Sequence, residues 1–246
     1  MGRSRLATFD YSAYIDHVSD CKDVSKLKTL IIETSRQIGA EAIAGYSFPF
    51  GGAVATQEGD PLITTFPPTV SDAYRSTLLG ADPVMYAAMT LGEPIHFAKI
   101  ESSLYLTTQA QTVIQTMRDA GLRDGVTTPV FAKPGAYGYF VAAFNEPRPD
   151  LTTADLRRIK LLFSEFFYRY RQLTARPQKR LSKRERQVLV AIVNDKTNPQ
   201  IAEMLGVSEH TVETYVRRCF AKLDVTSRTQ AALNYLGGSA FDLTPS

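Results

Sequence analysis

Along the first 174 residues the apolar positions switch repeatedly between helical spacing and strand-like runs. Leu27, Leu30, Ile31 and Ile38 recur at helical intervals and stop at Gly39, which predicts one or two helices between Tyr11 and Ile43 and then a strand over residues 44–50. Gly51, Gly52 and Gly59 punctuate a loop that ends at Pro67-Pro68. Short helices are expected over residues 67–79 and 83–91, with Asp82 capping the second ahead of Pro83. A strand over 95–97 and a helix over 107–120, closed by Gly121, come next. Residues 125–132 and 139–144 read as strands joined by Lys133-Pro134-Gly135, hence a hairpin. A long helix over 152–173 carries a broad stripe of Leu156, Ile159, Phe163, Phe166, Phe167 and Tyr170, suited to core packing or to a dimer contact. This alternation predicts an α+β fold whose first domain is an α/β/α sandwich around a mostly antiparallel sheet, a cupped form that can enclose a small ligand.

The pattern changes after residue 173. Residues 174–180 hold Pro177, three basic residues and no large apolar side chain, the composition of a linker. We therefore divide the chain into a sensor-like domain over 1–173, a linker over 174–180 and an all-α domain over 181–246. In the last, Ser182 and Glu185 form a capping box, and Val188, Leu189, Ile192 and Val193 give the helix its apolar face. Asn194-Asp195-Lys196 breaks it. A short helix then starts with Asn198 as cap and Pro199 in the first turn, turning Ile201, Ala202 and Leu205 inward. Gly206-Val207-Ser208 makes a tight turn into a third helix that buries Val212, Val216, Cys219, Phe220 and Leu223. A fourth, over 228–236 and closed by Gly237-Gly238, offers Ala231, Ala232, Leu233 and Leu236 to a second copy. Helix, glycine turn, helix is the helix-turn-helix arrangement.

Composition narrows the function. The chain has 246 residues, enough for two cores, and a formal net charge of +3. Residues 175–246 carry 11 Lys or Arg against 7 Asp or Glu, and the first 174 carry 17 against 18, so the basic excess is C-terminal. The two cysteines, Cys21 and Cys219, fall in different domains, which excludes a disulfide framework and fits a reducing compartment. No apolar run follows the N-terminal charges and no stretch of about 18 apolar residues exists, so a cytoplasmic protein without membrane association is expected. His17, His96 and His210 stand in no catalytic or metal-binding spacing, so no enzyme, metal or cofactor is expected.

The third C-terminal helix carries His210, Glu213, Thr214, Arg217 and Arg218 opposite its apolar stripe, where polar side chains can enter a major groove. Arg217 suits guanine O6 and N7, Thr214 a thymine methyl and Glu213 cytosine N4. Thr211, Arg218 and Lys222 suit phosphates, with Lys196, Asn198 and Gln200 placed across the turn. Double-stranded DNA is thus the expected partner. A non-DNA interaction module is the other class, since Glu213 reduces the positive charge of this face.

Leu181-Ser-Lys-Arg-Glu-Arg-Gln-Val-Leu189, Lys196-Thr-Asn-Pro-Gln-Ile-Ala202, Ser208-Glu-His-Thr-Val212 and Lys222-Leu223 resemble the LuxR-type DNA-binding domain over about 60 residues. Asp195 stands where that family normally has Gly, and Asp tolerates the left-handed turn better than most residues. The resemblance implies a homodimer reading a roughly palindromic site. Pro67-Pro68, Tyr74, Asp82-Pro83, Gly121-Leu-Arg-Asp-Gly125 and Thr128-Pro129 resemble, colinearly, the family's acyl-homoserine lactone domain. By that resemblance Tyr74 and Asp82 would bond the amide end of a signal; without it they are an aromatic and a helix cap. Two Trp residues of typical receptors fall on Val70 and Phe97, and this chain has no Trp. Losing an indole N–H removes a buried hydrogen bond worth about 0.5–1.5 kcal/mol. The resemblance therefore implies, first, a receptor for a modified or non-lactone acyl signal, then a ligand-independent regulator controlled by a protein partner, with an ordinary lactone receptor close behind.

Overall fold

In the computed structural model the described residues are 5–49, 61–77, 82–99, 106–131, 136–174 and 181–235. The chain divides into two compact units, with the break in the main chain between Thr174 and Ala175.

Helices α1 (Arg5–Thr8), α2 (Tyr11–Asp20) and α3 (Val24–Gln37) open the first unit. Asp10 and Asp23 cap α2 and α3 by accepting from the N–H groups of Ala13 and Lys26, which satisfies donors that a helix start otherwise leaves open. Strands β1 (Ala42–Pro49) and β2 (Ile63–Thr64), helices α4 (Pro68–Thr77) and α5 (Pro83–Leu91), strand β3 (Ile95–His96), helix α6 (Thr108–Asp119), strands β4 (Asp124–Phe131) and β5 (Ala136–Phe144) and helix α7 (Thr153–Thr174) follow. The sheet order is β2-β1-β5-β4-β3. The β1/β2, β3/β4 and β4/β5 pairs are antiparallel, and β4 and β5 run in register from Asp124 opposite Phe144 to Phe131 opposite Tyr137.

Strand β5 explains the layering. Side chains alternate across a sheet, yet Tyr139, Phe140, Val141, Ala142, Ala143 and Phe144 are all buried, so both faces must be covered. On one face α7 brings Phe163, Phe166 and Phe167 to within 5.0, 5.8 and 5.9 Å of Phe140, ring centre to ring centre. The long helix thus turns its stripe into the core, and α2 and α3 pack beside it; the Tyr14 hydroxyl donates to the Leu162 carbonyl at 2.9 Å. On the other face Ala44, Tyr46, Tyr139 and Val141 meet Met85 and Ala88 of α5, while Ala42 and Ala143 meet Val70 of α4 and Met117 of α6. Gly45 on β1 has to be glycine, because a Cβ there would stand 2.3 Å from the Phe140 ring.

The second unit contains α8 (Lys183–Val193), α9 (Asn198–Leu205), α10 (Glu209–Leu223) and α11 (Arg228–Asn234) around Val188, Leu189, Ile201, Val212, Cys219, Leu223 and Ala231. Asp195 and Gly206 take the left-handed conformation at φ 56° and 64°. Two local readings need correction. The cap of α9 is Thr197, not Asn198, since Thr197 has the extended backbone and Asn198 already lies in the helix. Strand β3 stops at His96, and Phe97 begins a short helical segment. The expected loop glycines 51, 52 and 59, Leu79, the turn at 133–135, the linker after Thr174 and residues 236–238 lie outside the described residues.

Gly45→Ala is expected to lower stability by about 1–3 kcal/mol through overpacking, and Phe140→Ala by about 3–5 kcal/mol through cavity formation. Both are read from denaturant unfolding. Because the two side chains contest one space, Gly45→Ala should cost less in a Phe140→Leu background than in the wild type.

Candidate nucleic-acid interface and sensor cavity

Helix α10 is set by its ends. Ser208 accepts from the Thr211 N–H, and the preceding left-handed Gly206 lets α9 end one residue before the turn. Val212, Cys219 and Leu223 are buried, which leaves His210, Glu213, Arg217 and Arg218 exposed and Thr211 and Thr214 half-buried. Arg217 and Arg218 make no ion pair or side-chain hydrogen bond among the described residues. Glu213 lies 3.8 Å from His210, and the Thr211 hydroxyl lies 2.8 Å from that of Ser208.

The other expected contacts have partners inside the domain. Lys222 Nζ lies 2.7 Å from Glu185 Oε2, and that carboxylate, its side chain only 4% exposed, also accepts from the Ser182 N–H. Burial works against its charge, but the bonds from Lys222 and Ser182 outweigh it and hold the Glu185 carboxyl below its usual range. Beside it, burial pushes the Cys219 thiol up to about 12. Asn198 Oδ1 accepts from Arg228 at 3.0 Å, and Arg228 also reaches the Lys196 carbonyl, so α11 braces the α8–α9 turn. Gln200 accepts from the Thr197 N–H at 2.9 Å, and Lys196 is exposed. Sequence reasoning missed Arg228, since nothing local to it signals a bond 30 residues away.

In the first unit Val70, Tyr74, Asp82 and Phe97 border one cavity of about 70 Å³, together with Ala44, Tyr46, Ser71, Tyr139 and Val141. Asp82 is 3% exposed. One oxygen accepts from the Val84 N–H at 2.8 Å as the cap of α5, and the other from the Tyr74 hydroxyl at 3.0 Å. The Met85 N–H and the Tyr139 hydroxyl also donate to it. Burial raises its carboxyl above the usual range, against the pull of these donors. Burial and then the nearby Asp82 charge push both the Tyr74 and Tyr139 phenols well up, so both stay protonated donors. Tyr139 was missed, since nothing local to it in β5 signals a partner at the start of α5. Val70 is fully buried and offers no donor, and Phe97 lies against β4 where a Cβ on Gly125 would come within 2.7 Å of its ring.

Among the described residues no three His, Cys, Asp or Glu cluster as a metal site, and no helix is long and apolar enough to cross a membrane.

Lys222→Met is expected to destabilise the second unit by about 1–3 kcal/mol, less than for a fully buried pair because the lysine is partly exposed. Since the Glu185 pKa is depressed, this stabilisation is complete above the ordinary carboxylate range and is lost as pH falls through the folded-state value. Urea unfolding at neutral and acid pH should therefore show the difference between wild type and variant shrinking in acid.

Residues 23–170 match the family model described as the autoinducer binding domain, and residues 179–234 match that of bacterial regulatory proteins, luxR family. The transcriptional regulatory protein YhcZ of Bacillus subtilis is 53% identical over 53 residues, 22% of this chain and 25% of that protein. SdiA of Escherichia coli is 29% identical over 133 residues, 52% of this chain and 55% of SdiA, and LuxR of Aliivibrio fischeri is 24% identical over 173 residues, 68% and 69%. The first of these alignments thus span a quarter to about half of the relatives. A solved structure of SdiA in complex with octanoyl-rac-glycerol has the same fold, with a TM-score of 0.67 at 20% identity over 92% of this chain and 93% of that one. The chain belongs to the LuxR family of bacterial transcriptional regulators, with an autoinducer-binding domain ahead of a LuxR-type helix-turn-helix domain.

Proposed function

We propose that this regulator binds double-stranded DNA as a homodimer, each copy placing α10 in the major groove of one half of a roughly palindromic site, and that its first unit senses a small acyl compound. One observation carries the DNA reading: Arg217 and Arg218 sit side by side on the exposed face of a capped helix after a tight turn, without partners among the described residues. Arg217 reads guanine, with Thr214 and Glu213 beside it, while Arg218, Thr211, Lys196, Asn198 and Gln200 face phosphates. Lys222 serves Glu185 first and reaches phosphate second.

The cavity supports an acyl ligand because its wall is apolar apart from Ser71, Asp82 and the hydroxyls of Tyr46, Tyr74 and Tyr139. A solved structure of SdiA, which shares the fold, is a complex with octanoyl-rac-glycerol. At about 70 Å³ the cavity is smaller than the roughly 300–1,000 Å³ of sites for drug-sized ligands, so a ligand has to open it.

Fluorescence anisotropy with the protein's own upstream duplex tests the DNA reading. Arg217→Ala should cost about 1–3 kcal/mol on the cognate site and relax specificity, and Arg218→Ala should weaken all sequences alike and lower the salt slope by about one. A uniform loss from Arg217→Ala would refute its assignment to a base. For the sensor, protein made in a host without acyl-homoserine lactones should melt higher with an acyl compound, as linkage requires. Indifference to every such compound would favour control by a protein partner.

A further inference from the structure

A second cavity of about 120 Å³ lies beyond the Phe97 ring. Phe97, Ile114 and Met117 border both cavities, so a single layer of side chains divides them. The two differ in what their polar groups have left to offer.

In the inner cavity the hydrogen bonding around Asp82 is closed on itself. A carboxylate has about four acceptor sites, and Asp82 takes two N–H groups and two tyrosine hydroxyls. The Ser71 hydroxyl lies 3.5 Å from that of Thr64. A polar head placed there has to displace one of these donors and strand it in a buried site. An apolar chain has no such cost.

The outer cavity is different. Its one carboxylate, Asp124, is already taken by His96 Nε2 at 2.9 Å and by the N–H groups of Gly125 and Arg148 at 2.7 and 2.6 Å. Burial opposes its charge, but these bonds hold its carboxyl below the usual range, so it is a satisfied anion with nothing to offer a ligand. Arg118 and Arg123 line the same cavity. The Arg123 guanidinium is exposed and has no partner among the described residues. The Arg123 guanidinium beside one satisfied carboxylate favours an anion, and a planar carboxylate matches its fork in two parallel bonds.

We propose that the sensor takes an acyl carboxylate, its chain in the inner cavity and its head against Arg123 and Arg118 in the outer one, with the Phe97 ring as the movable divide. This rests on the acyl-ligand reading above and names the head group. Phe97 packs on the backbone of β4 at Gly125, where any side chain would strike its ring.

Titration calorimetry and thermal shift on the intact protein at neutral pH, with decanoic acid and methyl decanoate below their aggregation limits, test the assignment. The acid should bind about tenfold tighter than the ester, an advantage that fades with salt. Arg123→Gln should reduce acid affinity about tenfold and leave the ester unchanged, with Arg118→Gln acting in the same direction. Equal binding of acid and ester by the wild type, or equal loss of both in Arg123→Gln, overturns the anionic head while leaving an acyl ligand in place. If neither compound binds, the acyl-ligand reading falls too, and this inference with it.

Discussion

The first unit depends on one constraint: strand β5 can give neither of its faces to water. Large rings on one side and small or aromatic side chains on the other oblige the chain to lay a helical layer over each. The two layers solve different packing problems. Around Phe140, α7 supplies three aromatic rings and Gly45 gives up its side chain, and the space is filled. On the opposite face Ala44, Tyr46, Tyr139 and Val141 of the sheet do not meet α4 and α6 everywhere, and the unfilled space is the cavity.

A cavity in an apolar layer is a hazard for any polar group that borders it, because a buried donor or acceptor without a partner is costly. The chain meets this by tying helix architecture to the cavity wall. Asp82 is both the cap of α5 and the acceptor for Tyr74 and Tyr139, so the start of a helix, a residue of α4 and the central strand are joined at one carboxylate. His96 and Asp124 do the same at the other edge, fixing β3 to β4 and drawing in the Arg148 backbone. In the second unit Glu185 and Lys222 fasten α10 to the start of α8, which holds rigid the helix whose outer face carries the arginines.

The second unit was the more legible in the sequence because its signals are local. Ser182 with Glu185, Gly206 and Ser208 each fix a helix end within three or four residues, and they fix the boundaries found. The exposed positions of α10 follow from helical period alone. What escaped was long-range. Lys222 looked like a free cation until the fold brought Glu185 to it, and Asn198, inside the helix that Thr197 caps, gives its oxygen to Arg228. In the first unit, alternation in β5 and the hairpin with β4 were readable, and the cap at Asp82 was certain from Pro83. That Val70, Tyr74, Asp82 and Phe97 border one cavity came from resemblance, not from spacing. Tyr139 completes the network around Asp82, yet its partner is 57 positions away and no periodicity encodes it.

Lysine acetylation by a limiting reagent, mapped by mass spectrometry with and without the protein's own upstream duplex, bears most directly on the claim that α10 and the turn before α9 meet DNA. Lys196 should label readily in the free protein and be protected by DNA. Lys222 should label slowly in both states because Glu185 holds it, and Lys22, Lys26 and Lys28 should label alike in both. A duplex that is bound while Lys196 labels unchanged and the lysines of α3 are shielded would contradict it.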